Sequence, residues 1–524
     1  MKKLFFLMLL ITSFSNAQSL QNAIKLTDSE QYTLAEKELK DLIKSDNSKP
    51  EYYYYLAENF ADRKEIDSAI IYWKIASLKN TEFPYTSIAS ARLRLNEKDF
   101  NGAKAIFDQV LAANKKNADL YRAATKALLV SESKLFDDAL AYINKAIDLD
   151  PKNEDGYLLK GDALILQTTS NVSLAVAEYN NAINKNLLSP KGLVRKAKIY
   201  VRLKNPSSDS SANVLFLEAE KLDSNFAPSF REHAELYQRS GKFKKAITMW
   251  EKYLSINNSL ESRYRYANAL YSSKQYCEAI NESNYLIQKG MNNFQLNRIL
   301  MSSYVECTND KENISKGLIA ADKFFSIAPK DKISATDYKT KAQLLTLNGK
   351  DSLAIIELNK GLEIESKNKS EYLILLAKSY SKMKKYDKVA ECYVSKQKLL
   401  PLTGDELLDL GRMYYNVKKY ILADSTFAKL NDIAPTYARG FFLRGNTAEQ
   451  LDLKKDKWLA KPYYEKVLTL VKPEERNQPH VKKMMLECAK YLVEYYNKQK
   501  DTTKANEILT ILKEIEATDA QPKK

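Results

Sequence analysis

The chain has 524 residues with only 13 glycines and 13 prolines, and its 82 lysines and arginines exceed its 66 aspartates and glutamates, giving a formal net charge of +16. A basic balance often points to nucleic acid, but acidic residues accompany nearly every basic cluster here, so we do not predict a nucleic-acid partner. Runs that alternate apolar and polar residues do not recur, so strands are not expected. The composition favours an all-α fold.

Residues 1–17 have the layout of a secretory signal. Lys2 and Lys3 precede an apolar run, and Ser15 and Ala17 supply small residues at positions minus three and minus one of a cut before Gln18. We predict that the mature chain is secreted across the inner membrane and resides in the periplasm; a buried first helix is the alternative. No later segment reaches the roughly eighteen apolar residues of a membrane span, so no transmembrane segment is predicted.

From residue 18 onward the chain is organised by a spacing of about 34 residues, the period of stacked two-helix repeats. A continuous repeat of this kind buries one elongated core and folds through contacts between neighbouring repeats. We predict a repeat array over 18–515 and a polar tail over 516–524. The spacing is carried by small residues at Ala23, Ala57, Ala91, Ala127, Gly161, Ala197, Ala234, Ala267, Ser302, Ala342, Ala377, Gly411, Gly445 and Ala489.

A second series of small residues usually follows the first by twelve positions. Two antiparallel helices approach to about 8 Å only where neither carries a large side chain, so the paired small residues mark where the helices of each repeat touch. One helical turn later a large apolar residue shares that face and is predicted to fill the space between hairpins. Among the second-series residues are Ala35, Ala69, Ala246 and Ala423, and the large residues include Leu39, Trp73, Trp250 and Phe427.

The period, the two small positions and a proline at the repeat end resemble the tetratricopeptide repeat family. The resemblance implies a right-handed superhelix, an α-solenoid of about 12–14 helical hairpins. It also implies a concave groove, lined by the first helices of successive repeats, that binds extended peptides or helices of partner proteins. The stretches that carry it best are Ala127, Ala139, Ile143, Ala146 and Pro151, and again Gly411, Tyr414, Ala423, Phe427 and Pro435.

Placing the inward positions of that family on this register predicts a partner-binding groove that changes sign along its length. Cations occupy its middle, whereas Glu58 and Asp62 lie near its start. Trp458 stands in a long link between the two helices of a repeat, which predicts an edge contact there; tolerated variation in loop length is the alternative. The predicted groove residues are Lys191, Lys198, Arg202, Arg231, Arg239, Lys378, Arg412 and Tyr415.

The four cysteines differ in their position within this register. Cys277 begins the second helix of one repeat and Cys307 ends the first helix of the next, and because those helices pack antiparallel the two residues lie side by side. We predict a disulfide between them, which a periplasmic location permits; two reduced, buried thiols are the alternative. Cys392 and Cys488, about three repeats apart, are predicted to stay unpaired.

The sequence offers no catalytic constellation. His233 and His480 lie about seven repeats apart and cannot share a metal ion or a proton relay. Nucleophile-elbow, zinc-protease, Walker-type and dinucleotide-binding motifs are missing. We predict that the protein is not an enzyme and holds no metal or cofactor, and a small-molecule ligand is not indicated.

Together these features predict a periplasmic scaffold or adaptor that binds other cell-envelope proteins through its concave groove. The alternative, from a different functional class, is a binder or carrier of anionic glycan or lipid that uses the mid-groove lysines and arginines. The two differ in their response to salt, because binding of a polyanion weakens steeply as its charges are screened.

Overall fold

The computed structural model describes residues 19–80, 82–307, 310–476 and 478–517. Within those ranges the regular elements are 28 α-helices and three short 3-10 turns, with no strand. The prediction of an all-α fold is confirmed. The predicted leader, residues 1–17, and residues 518–524 of the predicted tail lie outside the described residues.

The helices divide between two compact units, Met1–Asn292 and Asn293–Lys524. In each unit an odd-numbered helix packs against the even-numbered helix that follows it, so consecutive pairs form hairpins. The 28 helices of the described ranges therefore make 14 hairpins, at the upper end of the predicted number. No helix in the described part of the chain combines the length and the apolar character needed to cross a membrane.

The helix bounds are as follows. The first unit contains α1 (19–28), α2 (Tyr32–Ser45), α3 (Pro50–Asp62), α4 (Ile66–Ser77), α5 (Pro84–Asn96), α6 (Phe100–Ala113), α7 (Ala118–Leu129), α8 (Phe136–Leu149), α9 (Glu154–Gln167), α10 (Val172–Lys185), α11 (Lys191–Arg202), α12 (Pro206–Leu222), α13 (Ala227–Arg239), α14 (Phe243–Ile256), α15 (Leu260–Ser272) and α16 (Tyr276–Gln288). The second unit contains α17 (Phe294–Cys307), α18 (Lys311–Ile327), α19 (Ala335–Leu347), α20 (Asp351–Ile364), α21 (Lys369–Lys382), α22 (Tyr386–Gln397), α23 (Gly404–Asn416), α24 (Tyr420–Ile433), α25 (Ala438–Leu451), α26 (Lys461–Leu470), α27 (Pro479–Lys498) and α28 (Thr502–Ala517).

The small residues lie where the two helices of each hairpin cross. Both alanines of the second hairpin, Ala57 and Ala69, are fully buried. In the twelfth hairpin the ring of Phe427 covers Gly411 so closely that a Cβ atom added to this glycine would lie 2.3 Å from the ring. The large residue of the second helix therefore packs directly on the small residue of the first, as the sequence pattern predicts.

The ninth hairpin departs from the predicted register. Ser302, the predicted small residue of α17, is only half-buried, whereas the next residue, Ser303, is fully buried. The buried position is therefore shifted by one residue in this hairpin. The sequence spacing to Ala342, the longest but one in the series, already marks this stretch as irregular.

The two helices of most hairpins are joined by a turn that contains one residue in the left-handed backbone region. In the second hairpin this residue is Lys64, with φ of 68°, and the following N–H, that of Glu65, donates to the carbonyl of Phe60 at 2.9 Å. This pair of features is the Schellman ending of a helix. Both features recur at Lys98, Lys274, Lys384, Lys418 and Lys500, whereas Lys134, Lys204 and Lys455 share the left-handed backbone alone.

Cys392 and Cys488 are buried free thiols, and Cys277 and Cys307 are not among the free cysteines of the described residues. Burial raises the pKa of the Cys392 thiol to about 11, so this group is protonated at neutral pH and inert as a nucleophile. The pairing of Cys277 with Cys307 stays a prediction.

We expect Gly411→Ala to destabilise the second unit by about 1–2 kcal/mol, because the added methyl group overpacks the crossing against Phe427. Gly404→Ala, at the start of the same helix, is the matched control, since a Cβ atom there would meet its neighbours at an ordinary 3.7 Å. Urea unfolding followed by circular dichroism compares the two variants. Equal unfolding midpoints would contradict the role assigned to the small residues.

Candidate functional site

The first unit contains a partly open cavity of about 780 Å³, within the range of ordinary ligand sites. Its walls are formed mainly by the first helices of six hairpins, α1, α3, α7, α9, α11 and α13. Tyrosine and aliphatic side chains such as Tyr54, Tyr55 and Leu158 alternate there with charged ones. The cavity is the candidate functional site of this unit.

The charged side chains that line the cavity are nearly balanced, with eight carboxylates and seven cations. Most of them are engaged with each other inside the cavity. The pairs are Lys126 with Asp62 at 3.1 Å, Arg195 with Asp162 at 3.0 Å, Lys198 with Glu232 at 3.0 Å and Arg122 with Asp119 at 2.5 Å. The cavity is therefore polar without being strongly cationic.

Lys191, a predicted groove cation, is engaged by two carboxylates. Its Nζ lies 2.5 Å from Asp28 Oδ2 and 3.1 Å from Asp155 Oδ1. Burial by itself lowers the pKa of Lys191, but the charges of the two aspartates outweigh it and hold that pKa above its ordinary value. Burial likewise raises the pKa of Asp28, and the nearby Lys191 and Lys126 reverse this, so the pKa of Asp28 ends below its usual range.

Arg231, a second predicted groove cation, is held in the same way. Its Nη2 lies 2.9 Å from Glu30 Oε1 and its Nη1 lies 2.8 Å from Glu232 Oε1. The hydroxyl of Tyr253 in α14 also donates to Glu30, at 2.7 Å. Glu30 therefore accepts from two helices of the seventh hairpin.

Backbone groups complete the contact between the first hairpin and the far side of the cavity. The N–H of Ala227 donates to the carbonyl of Ser29 at 3.3 Å, and Nε2 of Gln31 donates to the carbonyl of Asn225 at 3.2 Å. Residues 28–31, which we name the first-hairpin turn, thus reach partners 163 to 223 residues away in sequence. In a plain solenoid each repeat contacts only its neighbours, so this closure is a specific feature of the first unit.

A buried ion pair supports the wall that α3 contributes. Glu58 Oε1 lies 2.8 Å from Arg92 Nε and accepts from Trp73 Nε1 at 3.1 Å, while the Arg92 guanidinium stacks 4.4 Å from the Trp73 ring. Trp73 is 2 % exposed, as predicted for a core residue. Since all polar partners are satisfied, the pair fixes α3 without leaving an unpaired buried charge.

The remaining predicted groove residues of the first unit lie at different places. Arg202 lines the cavity, is exposed, and among the described residues is the one cavity-lining cation without an ion pair. Arg239 does not line the cavity; it donates to the carbonyl of Val201 at 2.5 Å and pairs with Asp209 at the turn between α11 and α12. The structure thus gathers Lys191, Lys198, Arg202 and Arg231 at one site and places Arg239 elsewhere.

Lys378, Arg412 and Tyr415 belong to the second unit. Lys378 is exposed on α21, and Arg412 and Tyr415 are half-buried on α23. The Tyr415 ring meets that of Tyr420 edge-on at 5.5 Å. These three residues lie outside the cavity of the first unit.

Trp458 is buried, with 7 % of its surface exposed, which corrects the expectation of an exposed edge contact. Its ring packs edge-on against Tyr491 and Tyr495 of α27 at 5.3 and 5.2 Å. The ammonium groups of Lys455 and Lys498 lie 5.6 and 5.4 Å from the same ring. Burying the indole in the core of the second unit is more favourable in free energy than exposing it to water, so the long link folds back over the hairpin.

The two histidines take no part in the cavity. His233 of α13 is fully buried, with Nδ1 2.7 Å from Glu220 and Nε2 3.0 Å from Asn213, so both ring nitrogens are engaged by α12 of the preceding hairpin. His480 is exposed near the start of α27. Across the described ranges no group of three or more His, Cys, Asp or Glu side chains is arranged to hold a metal ion.

The sequence missed the carboxylates that engage the groove cations. Glu30 occupies the left-handed position of the first hairpin, where nine other hairpins have lysine. That difference in charge is visible once the repeats are aligned on their turns. A glutamate at this position could therefore have indicated, from the sequence, that the first-hairpin turn has a separate role.

Paired helices, small-residue crossings and left-handed turns together define an array of two-helix repeats. No protein-family model and no curated protein sequence matches the chain. The hairpins of the described residues have the helix arrangement of the tetratricopeptide-repeat fold, which the sequence pattern resembles.

Several solved structures of tetratricopeptide proteins are similar to parts of this chain. The C-terminal part of a TPR repeat-containing protein from Cytophaga hutchinsonii is 23 % identical, with a TM-score of 0.41, over 49 % of this chain and 96 % of that one. A tetratricopeptide repeat protein from Parabacteroides merdae is 16 % identical, with a TM-score of 0.32, over 50 % and 98 %. PilF of Pseudomonas aeruginosa is 19 % identical, with a TM-score of 0.33, over 40 % and 93 %. At these identities the similarity concerns the fold alone.

We expect the contact between Asp28 and Lys191 to depend on pH. Because the folded-state pKa of Asp28 is depressed, its stabilising effect is present above the ordinary carboxyl value and is lost as the pH falls through the lowered pKa. Asp28→Asn should therefore cost about 1 kcal/mol at neutral pH, and the difference from the unmodified protein should vanish in acid. Urea unfolding at a series of pH values measures it; a difference that is the same at every pH would contradict the ion pair.

Proposed function

We propose that the chain is a non-enzymatic scaffold that binds a segment of a partner protein in the cavity of its first unit. The observation that carries the proposal is the lining of the cavity, where helices of six hairpins present tyrosine, aliphatic and paired charged groups to one partly open space. Interfaces that bind proteins combine such aromatic and apolar surface with polar groups that fix orientation. The volume of about 780 Å³ suits a short stretch of peptide.

The balance of charge favours a protein segment over the anionic alternative. A glycan or lipid headgroup would need cations free to meet it, but Lys191, Lys198 and Arg231 are already paired with carboxylates. Displacing those carboxylates would leave buried negative charge without a partner, which is costly. Among the described cations of the lining, Arg202 alone has an unpaired guanidinium. This group can bind one polar group of a peptide segment that is otherwise neutral.

The predicted leader, residues 1–17, supports the periplasm as the place where the chain binds its partner. Residues 1–17 combine two lysines, an apolar run and small residues before the cut, as secretory signals do. We place the mature chain in the periplasm, where proteins of the cell envelope are the available partners. A fusion of residues 1–17 to a reporter that is active only outside the cytoplasm tests this placement.

The binding site is tested by filling the cavity. Ala123 lines the cavity on α7 and is 9 % exposed, so Ala123→Trp should occupy part of the space and abolish capture of envelope partners by the purified chain. Ala141→Trp is the matched control, since Ala141 is exposed on α8 of the same hairpin. Both variants should keep the helical circular dichroism of the unmodified protein.

Two results separate this proposal from its alternatives. Capture that survives Ala123→Trp would place the binding surface outside the cavity. Capture that is lost at moderate salt and is competed away by any anionic polysaccharide would favour the glycan binder, because polyanion binding depends steeply on screening.

A further inference from the structure

The first hairpin carries a turn of reversed charge. Its turn is built like the others, since Glu30 has φ of 57° and the N–H of Gln31 donates to the carbonyl of Leu26 at 2.9 Å. In the next two hairpins the same position holds Lys64 and Lys98. The shape of the turn is therefore shared with those two hairpins, while its negative charge is particular to the first hairpin.

The reversed charge is used across the cavity. Glu30 receives Arg231 and Tyr253, and its neighbour Asp28 receives Lys191. Asp28 and Glu30 side chains are 29 % and 13 % exposed, so solvent reaches these contacts in part. A lysine at position 30, as in the later turns, would meet Arg231 with like charge.

The contacts of the first-hairpin turn differ in kind from those that hold neighbouring repeats together. Successive hairpins are joined by apolar packing such as that of Leu39, Leu56 and Trp73 in one continuous core. The first-hairpin turn is held to α11, α13 and α14 by ion pairs and hydrogen bonds. Polar contacts at partly exposed sites are weaker and open more readily than buried apolar packing.

We propose that the first hairpin is a gate at one wall of the partly open cavity, held in place by Asp28 and Glu30 and released when these carboxylates leave Lys191 and Arg231. The wall it forms includes Gln21, Ile24 and Thr27 of α1, so its movement widens the opening of the cavity. That the interior then takes up a partner segment rests on the proposed function; the gate itself does not.

The gate is tested on the full chain by labelling a thiol placed inside the cavity. In a chain carrying Ala123→Cys, N-ethylmaleimide modification at position 123 is followed by peptide mass spectrometry, which separates it from labelling of the native cysteines. Adding Glu30→Lys should raise the labelling rate about tenfold, because the charge reversal opens the gate. Lys64→Glu, the reverse change at the same turn position of the second hairpin, should leave the rate unchanged.

A charge swap keeps the test independent of general unfolding. Adding Arg231→Glu to Glu30→Lys restores opposite charges across the cavity and should return labelling toward the rate of the unmodified gate. Amide hydrogen exchange in α1 should be faster with Glu30→Lys and slower again with the charge swap. Exchange in the helices from the second hairpin onward should be unchanged. Equal labelling with Glu30→Lys and Lys64→Glu would overturn the gate, as would fast labelling that the charge swap does not slow.

These readouts need no partner protein, so they separate the gate from the proposed function. Labelling that follows the charge pattern supports the gate whether or not a partner is captured. Failure of Ala123→Trp to abolish capture would remove the cavity as the binding site and leave the labelling result standing.

Discussion

The structure depends on the close approach of two helices at small residues. A glycine or alanine in the first helix leaves room for a ring or branched side chain from the second, as Gly411 does for Phe427 and Gly161 does for Tyr179. Each hairpin then has one apolar face toward the next, so the array grows by repeating a single contact. The side chains left available for binding are those on the inward-facing side of the first helices.

In the first unit, inward-facing groups from distant hairpins meet each other. Asp28 and Glu30 reach Lys191 and Arg231 across more than 160 residues of sequence. These contacts add the first hairpin as a further wall of the cavity and pair the cations that would otherwise determine its charge. The same residues that look like an anionic-ligand site in an open groove therefore act here as attachment points for the chain itself.

Local features of the fold could be predicted from the sequence because they depend on short spacings. The 34-residue period predicts the hairpins, and the small residues predict which helix faces touch. The position predicted for the buried small residue at Ser302 is wrong by one residue because that repeat is irregular in length. The partners of the cations could not be predicted in the same way. Whether Glu30 meets Arg231 depends on small rotations summed over several hairpins, and Trp458 depends on how a long link folds back.

The contact between the first-hairpin turn and the far wall of the cavity is tested most directly by zero-length cross-linking. A carbodiimide joins a carboxylate to an amine only when the two are in contact, as Asp28 and Lys191 are at 2.5 Å. We expect a cross-linked peptide pair containing these residues in the purified full-length chain, alongside the control pair Asp322 and Lys341, which lie 2.8 Å apart in the second unit. Recovery of the control pair without the Asp28 and Lys191 pair would contradict the contact of the first-hairpin turn with the far wall.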